Sequence, residues 1–82
     1  MKLMNYTVLF EPIEDDAYLA VVPAIPGIIT FGENLDEARE MVMDAIRCHL
    51  EGLLMDGEPF PKDMSINSEP IKEILSVSVN LI

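Results

Sequence analysis

The sequence predicts an α+β domain of order β-β-β-α-β, with one long helix packed on a mainly antiparallel sheet. Three observations carry this expectation. Residues 5–11 (NYTVLFE) place Tyr6, Val8 and Phe10 on one face and Thr7, Leu9 and Glu11 on the other, the period of two of a half-buried strand. Residues 35–55 repeat apolar side chains at spacings of three and four between a cap and a stop. Residues 71–81 alternate again, with Leu75, Val77, Val79 and Leu81 set against Ser76, Ser78 and Asn80.

The elements follow in order. Pro12 ends the first strand, because proline has no N–H for a ladder. Glu14, Asp15 and Asp16 suit a polar turn, and 17–22 (AYLAVV) reads as a second strand, apolar enough to be central and paired with the first as a hairpin. Pro23, Pro26 and Gly27 make a rigid connector in which Gly27 permits a left-handed turn. A third short strand takes 28–31 (IITF).

The helix should run over Leu35–Met55. Asn34 is its N-cap, and Glu37 completes a capping box. Asp36, Glu37 and Glu40 suit the positive end of the helix dipole. Its buried stripe reads as Leu35, Ala38, Met41, Val42, Ala45, Ile46, His49 and Leu53, with Asp36, Arg39, Glu40, Met43, Asp44, Arg47 and Glu51 on the wet side. Gly57 is the C′ stop, and Pro59 and Pro61 prevent continuation. A polar connector over 60–69 leads to the fourth strand, whose outer face should be polar.

Eighty-two residues make one domain, 1–82, with a limited core. Half of the residues are apolar, an excess that points to burial against another chain and to a homo-oligomer, with a well-filled monomeric core as the alternative. Five Lys and Arg against fifteen Asp and Glu give a formal charge of −10. Such a surface repels phosphates, so direct nucleic-acid binding is not expected, whereas a basic protein partner suits it. The single Cys48 leaves no internal disulfide, which fits a reducing cytoplasm. No targeting segment and no membrane span is read: the apolar run 18–22 is far short of the roughly 18 residues a span needs.

No residue set meets the demands of catalysis, a cofactor or a metal. Glu11, Asp44 and Glu51 invite a two-metal nuclease reading, but such chemistry needs convergent carboxylates, and Asp44 and Glu51 fall on the wet face of the helix. Cys48 and His49 are adjacent, point about 100° apart on a helix, and have no second Cys or His to complete a site. His49 reads as a partly buried packing residue and Cys48 as a surface one. Glu14, Asp15 and Asp16 lack the ligand spacing of a calcium loop.

Four ordered segments carry a resemblance: EDDAYLAVVP with the connector Pro23, Pro26 and Gly27, then TFGENLDEA and LMDGEPFP. Together, over 6–61, they resemble the HicB family of antitoxins and related stand-alone proteins. Ile28 stands where many relatives have cysteine, and Asn34 where they have a threonine or serine cap; both exchanges are conservative. The resemblance implies a reduced ribonuclease H-like (HicB-like) fold without nuclease chemistry. It also implies binding and steric inhibition of HicA, a small basic toxin that cleaves messenger RNA. Relatives often carry a separate C-terminal DNA-binding domain; none is expected in 1–82. Three readings follow: an antitoxin-type binding protein, a stand-alone structural or regulatory homo-oligomer, and, least favoured, a residual metal-dependent nuclease.

Overall fold

The computed structural model describes residues 2–64 and 71–79. Four strands, β1 (Lys2–Pro12), β2 (Tyr18–Val21), β3 (Ile29–Gly32) and β4 (Ile71–Val79), form one sheet in the order β3-β2-β1-β4. Each neighbouring pair is antiparallel, so β2 is internal, as its apolar sequence requires. Among the described residues a single α-helix, α1 (Leu35–Met55), covers one face. Tyr6, Val8, Phe10, Ala20, Val77 and Val79 point from the sheet to Ala38, Val42, Ile46 and Leu50 of the helix, all fully or almost fully buried. The expected α+β architecture is therefore the observed one. Leu81 and Asn80 of the expected fourth strand lie outside the described residues.

Local chemistry explains where the elements start and stop. Asn34 Oδ1 accepts from Glu37 N–H at 2.8 Å, which caps α1 as expected. The return bond of the capping box is displaced by one residue: Glu37 Oε1 accepts from Glu33 N–H rather than from Asn34. At the other end Glu58 N–H donates to Leu53 O, and Gly57 N–H to Leu54 O. This is a Schellman closure, with Gly57 in the left-handed region at φ 69°. The hairpin between β1 and β2 turns through Asp15 (φ 56°) and Asp16 (φ 65°), with Ala17 N–H donating to Glu14 O. Two successive left-handed residues give the hand that a twisted hairpin needs, and Asp tolerates that region better than most side chains.

Three sequence expectations are corrected. The helix stripe is centred on Ala38, Val42, Ile46 and Leu50; Met41 and His49 are exposed, while Met43 packs against the core. The buried row follows i, i+4 spacing and drifts about 40° round the helix at each step to reach Leu50; His49 lies only about 20° from Val42 in helical phase, so the placement of the sheet, not the helix period, leaves it exposed. Gly27 is not left-handed. The glycine that the packing demands is Gly32, where a Cβ would lie within 3 Å of Ala38 N, Cα and Cβ, so β3 and the start of α1 touch backbone to backbone. Finally, the outer face of β4 is not wholly polar, since Ile74 stands 62% exposed between Lys72 and Ser76.

Candidate functional site: the open face of the sheet

The helix covers only one side, and the alternation of each strand places a second set of side chains on the other. The register assembles them in rows. Phe31, Leu19 and Glu11 lie abreast across β3, β2 and β1, and Ile29, Val21, Leu9 and Lys72 form the next row. Thr7 and Ile74 follow. Leu9, Leu19 and Val21 are half-buried by their neighbours, whereas Ile29 is 65% and Phe31 50% exposed. An apolar patch spanning four strands is thus left facing water, the kind of surface that marks an interaction site rather than scattered apolar exposure.

At its β3 end the patch runs into a groove of about 810 Å³. Ile13, Ala17 and Phe31 line it with apolar side chains, and Glu14, Asp15 and Glu33 with carboxylates. The hairpin supplies the first wall and the β3–α1 junction the second, so the backbone contact at Gly32 and the left-handed turn at Asp15 and Asp16 position both. Among the described residues no ion pair reaches Glu14, Asp15 or Glu33.

The opposite half of β1 is sealed. β2 pairs with β1 only over Leu9–Pro12, leaving the N-terminal half of β1 without a strand on that side. The segment after α1 fills the vacancy. Asp63 accepts from Thr7 N–H at 2.7 Å and from Thr7 Oγ1 at 2.8 Å, and Tyr6 Oη donates to the Pro61 carbonyl at 2.6 Å. Burial, helped by the Asp63 charge, pushes the Tyr6 phenol above its ordinary value. Thr7 is fully buried as a result. On the helix side Arg39 donates to both Glu73 carboxylate oxygens, at 2.7 and 2.8 Å, and to Asp36. That fork ties α1 to the edge strand and holds the Glu73 carboxyl below its usual value.

The sequence-derived candidates do not converge. Glu11 lies on the open face, whereas Asp44 and Glu51 sit on α1 beyond the other face, and Asp44 pairs with Arg47 at 3.3 Å. Cys48 and His49 are both exposed, so the expectation of a partly buried His49 does not hold. Among the described residues no group of three or more His, Cys, Asp or Glu could hold a metal ion. Glu14 and Asp15 are at the turn as expected, but their place beside Phe31 and Glu33 was not foreseen. Also missed were Thr7 and Asp63, which are 56 residues apart in sequence. No periodic signal marks such a pair. Ile29 and Phe31 could have been found, since a four-residue strand of alternating outward apolar side chains is unusual on a surface.

Comparison with known proteins places this geometry. The family model for the HicB-like antitoxin of bacterial toxin-antitoxin systems matches residues 6–74. A UPF0150 protein of Thermoplasma acidophilum is 40% identical over 68 residues, which are 83% of this chain and 94% of that one. Antitoxin HicB 1 of Photorhabdus laumondii is 33% identical over 95% of this chain, which spans 50% of the antitoxin's length. The crystal structure of the Burkholderia pseudomallei antitoxin HicB superposes with a TM-score of 0.75 at 28% identity, covering 95% of this chain and 63% of that one. The N-terminal domain of the same antitoxin, crystallised alone, is matched over its full length with a TM-score of 0.74 at 24% identity. The chain belongs to the HicB-like antitoxin family.

Proposed function

We propose that this chain is a non-catalytic, antitoxin-type binding protein that docks on a small basic HicA-type toxin and neutralises it sterically. One observation carries the reading: a member of this family with a net charge of −10 leaves an apolar sheet face open to water. Apolar surface supplies the driving force for association, and the surrounding charge selects a basic protein over nucleic acid. A toxin so covered cannot reach the phosphates of its messenger RNA. The process belongs in the cytoplasm, where messenger RNA is the target; no helix among the described residues is long and apolar enough to cross a membrane.

The test is co-expression with a small basic HicA-type toxin. Restored growth and copurification of a defined complex are expected. A toxin that still arrests growth and does not copurify would overturn the reading. Absence of intrinsic hydrolysis is part of the proposal, and metal-dependent cleavage of single-stranded RNA abolished by Glu11→Ala would sink it.

A specific observation also favours self-association. β4 is an edge of nine residues whose outward Ile74 is exposed, and long edges tend to pair with another chain. A two-fold dimer through this edge would leave the β3 side free. Val77 and Val79 are core residues, so truncating the strand would unfold the monomer; Ile74→Lys is the appropriate variant. Sedimentation should give a dimer for the wild type and a monomer for the variant. A monomeric wild type at high micromolar concentration would refute the dimer.

A further inference from the structure

We infer that the β3 end of the open sheet face, with the groove it runs into, docks an arginine-bearing apolar segment of a basic protein partner. The inference rests on the antitoxin reading for the partner's identity, but its chemistry comes from the surface itself. Ile29 and Phe31, half or more exposed, continue the Leu19–Val21–Leu9 patch and require an apolar counterpart. That patch ends in a groove lined by both apolar side chains (Ile13, Ala17, Phe31) and carboxylates (Glu14, Asp15, Glu33). An arginine has the matching division along its length. Its aliphatic stem suits Ile13 and the Phe31 ring, and its guanidinium suits a ring face and carboxylates together.

Other occupants fit less well. A second copy would bring the same three carboxylates and its own charge of −10 to the contact. Nucleic acid and anionic lipid would meet these carboxylates with like charge. A bare divalent cation finds a half-apolar lining and, among the described residues, no cluster of three ligands. The carboxylates and the apolar side chains of the lining select the same partner chemistry.

The experiment is an NMR titration of the isotopically labelled full chain with a blocked synthetic hexapeptide of alternating arginine and leucine, at up to about 1 mM, the range of weak encounters. Saturable amide shifts confined to 13–19 and 29–33 are expected. An alternating glutamate–leucine peptide should produce none. Phe31→Ser, at an exposed position, should weaken binding by about tenfold while leaving the remaining spectrum in place. The double variant Glu14→Gln with Glu33→Gln should weaken it similarly and reduce its sensitivity to salt. Shifts that fail to saturate, that gather on the exposed face of α1, or that persist unchanged in both variants would overturn the inference. Toxin copurification decides the antitoxin reading separately: peptide binding without toxin binding sinks that reading and leaves the groove assignment standing. Toxin binding without peptide shifts does the reverse.

Discussion

Replacing Asp63 with alanine removes both acceptors from a buried threonine, and the cost can be worked from the contacts. Thr7 is fully buried, and its N–H and hydroxyl both donate to this one carboxylate. Hydrogen bonds to a charged acceptor contribute about 1.5–3 kcal/mol each when buried. Asp63 is itself exposed, so water can reach the site once the carboxylate is gone, and each bond is discounted towards the lower limit or below. A loss of about 2 kcal/mol follows. That is a large share of the roughly 4–12 kcal/mol expected for a domain of this size. With a urea slope of about 1 kcal/mol/M, the unfolding midpoint should fall by roughly 2 M. Asp63→Asn is the control. Its carbonyl can still accept from Thr7 N–H and its amide can donate to Thr7 Oγ1, so it should cost under about 1 kcal/mol. Both variants remove the charge that, after burial, raises the Tyr6 phenol, so an ultraviolet titration of that phenol should move back towards the ordinary value. Because the folded value lies above the unfolded one, stability should be complete below about pH 10 and decline above it. An Asp63→Ala protein within about 0.5 kcal/mol of the wild type would refute the reasoning.

Four further outcomes are expected. Gly32→Ala should destabilise by at least about 3 kcal/mol in chemical denaturation, since the new methyl meets helix backbone that cannot move aside. Asn34→Ala should cost roughly 1 kcal/mol, and an unchanged denaturation midpoint would count against the observed cap. Asp16→Gly should raise stability by about 0.5–1 kcal/mol, because glycine accepts φ 65° without steric cost. The depressed Glu73 carboxyl contributes stability present above its unfolded value of about 4.3 and lost as pH falls below it. Glu73→Gln should therefore flatten the acid limb of stability against pH, and an unaltered limb would show that the fork to Arg39 has no energetic effect.

The elements of this fold were legible because each is stated locally. The cap at Asn34 and the stop at Gly57 bound the helix to the residue, since both satisfy backbone groups of their immediate neighbours. The alternation of Tyr6, Val8 and Phe10, and of Leu75, Val77 and Val79, fixed which faces turn inward. What failed was finer. His49 and Leu50 are adjacent, and a stripe drawn at spacings of three and four admits either; only the sheet they pack against distinguishes them. Gly27 and Gly32 are equally plain glycines in sequence, yet only Gly32 meets the backbone of another element. That approach is a property of two elements in space, and no local pattern contains it.

The functional surface was less legible for a related reason. Period-two alternation identifies two faces of a strand but does not say that one will be left uncovered; here, among the described residues, one helix and four strands leave one sheet face without a layer. Leu19 and Val21 therefore read as the interior of a central strand, which is true of their place in the sheet order and false of their face. The acidic turn was visible, and so was the apolar 28–31 segment, but the hairpin fold is what brings Glu14 and Asp15 beside Phe31. A solvated turn and an ordinary strand thereby become a single surface of mixed character. The overall charge of −10 gains a direction from that juxtaposition: carboxylates stand at the same end of the molecule as the exposed apolar surface. Under the proposed docking, selection of a basic protein follows from where the carboxylates lie relative to the exposed ring, and it should weaken when either is removed, even though the total charge changes little.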